Sequence, residues 1–93
     1  MSESATIEVK IKNKLGLHAR PAAIFVKMAC AYSSEITVEK DSESVNAKSL
    51  IGLLMLAADY NSTLRITATG SDATKALEAI EYLVNNDKGF LEE

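Results

Sequence analysis

From Ala5 to Ile11 the chain alternates strictly, with Ile7, Val9 and Ile11 on one side and Thr6, Glu8 and Lys10 on the other. A period of two is the pattern of a strand with one face in a core and one in water. The alternation returns over Glu35–Lys40 through Ile36 and Val38, and over Thr63–Thr69 through Leu64, Ile66 and Ala68. Asp41 and Ser42 are turn residues, and Ser44–Ala47 leads back with Val45 inward, which predicts a β-hairpin.

Helical spacing fills the gaps between these strands. Ala22, Phe25, Val26 and Ala29 recur at three- and four-residue steps. They predict a helix that starts around Pro21, whose missing N–H loses nothing in a first turn, and runs to about Tyr32. Ala73, Ala76, Leu77, Ile80, Leu83 and Val84 form the most regular helical stripe. Gly70-Ser71-Asp72 supplies its turn and cap, and Asn85–Gly89 its stop. Ser49 opens the apolar run Leu50–Ala58, and Asp59–Ser62 closes it. The serine start and the length favour a short helix, although a buried strand shares the pattern. The order βαββαβα predicts an α+β fold, an open-faced two-layer sandwich with helices on an antiparallel sheet and residues 1–93 in one domain.

Composition narrows the function. A chain of 93 residues can build a two-layer core but not a deep substrate cavity as well, which disfavours a complete multi-substrate enzyme. A net charge of −3, the absence of tryptophan and the lack of a basic cluster argue against nucleic-acid binding. One cysteine, Cys30, and one histidine make neither an internal disulfide nor a metal-ligand set. No metal or other cofactor is therefore expected, and a reducing cytoplasm fits best. The polar start Met1–Thr6 does not have the form of a signal peptide, and Leu50–Ala58 is far shorter than the ~20 residues that span a bilayer, so membrane insertion is not expected.

His18 stands in the loop Asn13–Pro21, punctuated by Gly16 and lying one residue before the helix start, with Arg20 close behind it. Imidazole is a nucleophile near pH 7. A phosphoryl group on it would meet unpaired helix N–H groups and a guanidinium, both suited to anionic oxygens. For a histidine in an arbitrary loop the plain reading would stand: a surface side chain, a solvated arginine and a helix-starting proline. The surrounding string changes the odds, because Asn13-Lys14-Leu15-Gly16-Leu17-His18-Ala19-Arg20-Pro21-Ala22 resembles the active-site segment of the histidine-containing phosphocarrier (HPr) family. Lys48-Ser49-Leu50-Ile51-Gly52-Leu53-Leu54 is similar to the start of that family's second helix, and the resemblance covers nearly the whole chain.

The resemblance implies a strand order of 1-4-2-3 with three helices on one face. It also implies a cycle of the phosphoenolpyruvate-dependent phosphotransferase system. Enzyme I passes a phosphoryl group to Nδ1 of His18, and an Enzyme IIA domain takes it, so the chain is a carrier and not a self-sufficient enzyme. Carried over by position, His18 is phosphorylated, Arg20 is its cation, Ala19 and Arg20 offer backbone N–H groups, and Pro21 fixes the helix start. The outer faces of the first two helices then form a docking surface. Leu50, Ile51, Leu54 and Met55 would be its apolar centre and Ala23, Ile24, Lys27 and Lys48 its rim, with Leu53 and Leu56 left to the core.

Ser49 has two readings. It caps the second helix, and in members served by HPr kinase/phosphorylase the matching serine is a regulatory phosphorylation site. A monomer is expected. Ala57–Thr63 lacks the glycine common in the family, which leaves Asn61 to take a left-handed turn. Leu53–Leu56 and the tail Asn86–Glu93 are somewhat like the nitrogen-related branch (NPr), a regulatory branch not coupled to sugar uptake, whereas Lys48-Ser49 looks more like the sugar branch. Two other classes compete. A small phosphate-ester or acyl-phosphate hydrolase could use Arg20 as its clamp but shows no second catalytic group, and a purely interacting regulator would not need the histidine.

Overall fold

The computed structural model describes residues 3–91; Met1, Ser2, Glu92 and Glu93, the outer parts of the polar start and of the tail, lie outside the described residues. The elements are β1 (Glu3–Lys10), α1 (Ala19–Cys30), β2 (Glu35–Lys40), β3 (Glu43–Asn46), α2 (Leu50–Met55), β4 (Thr63–Gly70), α3 (Ala73–Asn86) and α4 (Lys88–Leu91). The strands form one antiparallel sheet in the order β1-β4-β2-β3, as the resemblance implies.

Alternation sets the register. Ile7 lies opposite Ile66 and Val9 opposite Leu64, while on the other side of β4 Val38 meets Ile66 and Ile36 meets Ala68. One face of the sheet is therefore continuously apolar. The helices cover that face: Ala22, Phe25 and Ala29 of α1 and all six stripe residues of α3 are buried in one cluster with Ile36, Val38, Leu64 and Ile66. Each large side chain withdrawn there, such as Phe25 or Ile80, stabilises the fold by roughly 1.5–3 kcal/mol. The opposite face is polar. The Thr6 and Thr67 hydroxyls hydrogen-bond at 3.0 Å, and Glu8 pairs with Arg65 at 3.6 Å with both side chains exposed, a pair that contributes little in water.

Several expectations are corrected. The first helix stops at Cys30, and the second stops at Met55 instead of running on towards Ala58. Beyond it the backbone turns left-handed at Ala57 (φ 51°) as well as at the expected Asn61 (φ 71°). Asp72 occupies the position before α3, but its side chain does not cap that helix. The carboxylate instead accepts the Ser33 and Ser34 N–H groups at 2.9 and 3.0 Å together with both serine hydroxyls. These donors, the Ser34 hydroxyl foremost, hold the Asp72 carboxyl at about 2, below its ordinary 3.8.

The largest correction is a fourth helix where three were expected. Asn85–Gly89 does end α3, but Asp87 then accepts the Phe90 N–H through Oδ1 at 3.0 Å and starts a new turn. That turn carries Phe90 into the core, fully buried. Among the described residues no helix is long and apolar enough to cross a membrane.

Candidate functional site

The histidine loop joins β1 to α1 and is stitched to the connection between α2 and β4. Ile11 N–H donates to Ser62 O at 2.9 Å, Asn61 N–H to Ile11 O at 2.7 Å, and Leu17 N–H to Ala58 O at 2.8 Å. Gly16 makes this approach possible. Its φ is +77°, and a Cβ there would stand 2.6 Å from Ala58 O, so any side chain would push the two loops apart.

His18 is the residue before α1, with extended backbone (φ −84°, ψ −170°) and a side chain that does not cap the helix. Its N–H donates to Gly16 O, and its carbonyl accepts the Ala22 N–H, each at 2.9 Å. The backbone thus holds the residue on both sides while the imidazole stays uncommitted. The ring is half-buried, with Nε2 turned inward and without a hydrogen-bond partner.

The first N–H groups of a helix have no acceptor within it. In α1 these belong to Ala19 and Arg20, since Pro21, buried at the third position, has none to offer. The Arg20 side chain is exposed and pairs with no carboxylate among the described residues. One uncommitted ring, two orphan N–H groups and one unpaired guanidinium therefore share the first turn of α1. That combination suits a phosphoryl group arriving from solvent.

α2 packs against α1. Ser49 precedes α2 and caps it, its Oγ accepting the Gly52 N–H at 3.0 Å. On the outer side Ile51 is 71% and Met55 72% exposed, with Leu50 and Leu54 at 39%, while Leu53 and Leu56 are buried. The division between surface and core is the expected one. Ala23 and Lys27 are exposed and Ile24 half-buried. Lys48 is less free than a rim residue, because its Nζ donates to Tyr32 O at 2.7 Å.

Sequence reasoning passed over two residues of the loop. Leu15 is 70% exposed one step before Gly16. Asn13, read as a loop residue, is buried, and its Nδ2 donates to the carbonyl of Phe90 at 2.6 Å. The exposure of a leucine inside a motif has no signal of its own, and the Asn13–Phe90 pair joins residues 77 positions apart.

Residues 5–86 match the family model of the HPr component of the phosphotransferase system (PTS), described by its phosphorylation site. The chain belongs to the HPr family. It is 48% identical over 80 residues to an HPr-like protein Crh of Halalkalibacterium halodurans, covering 86% of this chain and 95% of that protein. It is 42% identical to the phosphocarrier protein HPr of Treponema pallidum, covering 84% and 89%. Among solved HPr structures, that of Thermoanaerobacter tengcongensis superposes with a TM-score of 0.87 at 43% identity, covering 96% of this chain and 98% of that one.

HPr-like stretches also occur inside larger proteins. In the multiphosphoryl transfer protein of Vibrio cholerae the match, 41% identical over 90% of this chain, takes up only 22% of that protein. The expectation of a monomer finds no support among these relatives. An HPr dimer is known from Thermoanaerobacter tengcongensis (47% identity, TM-score 0.66, 77% and 83% covered). Crh of Bacillus subtilis forms a dimer through a swapped domain (40% identity, TM-score 0.72, 85% and 91% covered).

Proposed function

We propose that residues 1–93 act as one cytoplasmic carrier domain of the phosphotransferase system, taking a phosphoryl group on His18 from Enzyme I and giving it to an Enzyme IIA domain. The observation that carries this reading is the uncommitted His18 ring at the head of α1, with Nε2 turned in and Arg20 unpaired beside it. In the forward step the Nδ1 lone pair attacks phosphorus in line. The bond from phosphorus to the Enzyme I donor atom breaks as the new N–P bond forms, and its electron pair returns to that donor. The N–H groups of Ala19 and Arg20 and the Arg20 guanidinium donate charge-assisted hydrogen bonds to the phosphoryl oxygens. The second step reverses the geometry, with His18 as leaving group.

Partner docking falls to the outer face of α1 and α2, where Leu50, Ile51, Leu54 and Met55 are exposed together. Ser49 lies at the edge of that face as a helix cap. A phosphoryl group on it would add roughly two negative charges beside Leu50 and Ile51 and weaken docking by repulsion and desolvation. The alternative, a regulatory carrier of the nitrogen branch, would use the same histidine chemistry toward a different acceptor. Incubation with phosphoenolpyruvate and Enzyme I, followed by a panel of Enzyme IIA domains, tests the reading. The expected product is an acid-labile phosphoprotein that His18→Ala fails to form; label persisting in that variant refutes the assignment.

A further inference from the structure

We infer that Asn13, held by the carbonyl of Phe90, is a positioning residue for phosphoryl transfer at His18, an inference that rests on the carrier reading above. Asn13 is 1% exposed. Through Nδ2 it donates to Phe90 O at 2.6 Å, and through its own carbonyl it accepts the Gly16 N–H at 2.9 Å. The Gly16 carbonyl in turn accepts the His18 N–H at 2.9 Å. A continuous line of hydrogen bonds therefore runs from the tail, through the first residue of the loop, to the backbone of the phosphorylated residue.

Two points along that line are held by their surroundings. Phe90 has its ring fully buried and its N–H bound to Asp87 Oδ1, so its carbonyl has little freedom. Gly16 is pressed against Ala58. A small displacement of Asn13 has no slack to absorb it and passes to His18, where phosphoryl transfer demands in-line geometry.

Stability alone does not account for an asparagine here. Its Oδ1 is buried without a hydrogen-bond partner among the described residues, which is a cost that an apolar residue of similar size would not carry. What the amide adds over such a residue is a direct hold on the tail.

The test compares the intact chain with Asn13→Val and with a variant lacking residues 88–93, at a temperature where circular dichroism finds each folded. Transfer from phosphorylated Enzyme I is followed over a range of carrier concentrations. The expected result is a fall in kcat of about tenfold or more with KM unchanged, because the docking face is untouched. Amide resonances of Gly16, Leu17 and His18 should move in both variants, and the combined variant should be no slower than the slower single one, since both remove the same contact. Should Asn13→Val fail to fold, the tail deletion carries the same expectation. Variants that fold and keep the wild-type kcat, or lose activity only through KM, overturn the inference while the carrier reading stands. A wild-type chain that accepts no label overturns both.

Discussion

A carrier of the kind proposed requires His18 to hold a phosphoryl group firmly enough to carry it and loosely enough to release it. Its donors, two backbone N–H groups and the Arg20 guanidinium, stand at a water-exposed helix end, where charge-assisted bonds are worth less than in a dry pocket. The backbone around the ring is the firm part. Ala57 marks where that firmness costs something, since it sits at φ 51° in the connection that grips the loop. A left-handed alanine is strained by roughly 1–2 kcal/mol, part of which glycine would give back in unfolded-state entropy. Ala57→Gly should therefore raise the free energy of urea unfolding by about 0.5–1 kcal/mol; lower stability would mean that the backbone there is not strained. His18 and Arg20 were legible in the sequence because a loop–Pro–helix string places them together locally. Asn13 was not, because burial of a polar side chain depends on a partner contributed by the far end of the chain.

At the scale of elements, α2 is the most revealing. Its apolar run is too uniform for periodicity to orient, yet the structure buries Leu53 and Leu56 and leaves Ile51 and Met55 in water. Leaving such side chains exposed forgoes the stabilisation that burial would bring, which makes the face a candidate for a partner's apolar surface. Ile51→Glu should raise the KM for phosphorylated Enzyme I about tenfold or more while changing unfolding stability by less than about 0.5 kcal/mol. Unaltered transfer kinetics would remove α2 from the docking surface. The long helix α3 was legible residue for residue because its stripe meets the sheet without competing demands. Its neighbour α4 was missed: a stop signal read from Asn85–Gly89 says where a helix ends, and cannot reveal that Asp87 begins another turn or that Phe90 has a place waiting in the core.

For the molecule as a whole, Asp72 ties the turn before β2 to the start of α3 through four donors on Ser33 and Ser34. The folded carboxyl titrates at about 2 against an ordinary 3.8, so the unfolded chain takes up the proton first on acidification. The stability Asp72 contributes is fully present above about pH 4 and is lost as the pH falls towards 2. Asp72→Asn should lower the Tm at neutral pH, and the gap to wild type should narrow between pH 4 and pH 2; a gap constant down to pH 2 would show that the carboxylate charge plays no part. The sequence placed Asp72 correctly at the head of a helix but gave no sign of the two serines, which reach it from 38 and 39 residues away.

The direction of β1 makes the two ends of the chain unequal for anyone who handles the protein. Eight residues of strand separate Glu3 from the beginning of the histidine loop, a distance of about 25 Å, whereas Phe90 touches that loop directly. An affinity tag, a fluorophore or a surface linker attached ahead of Glu3 stands clear of the reacting end. The same attachment after Leu91 is placed where it can disturb the measurement it was meant to serve.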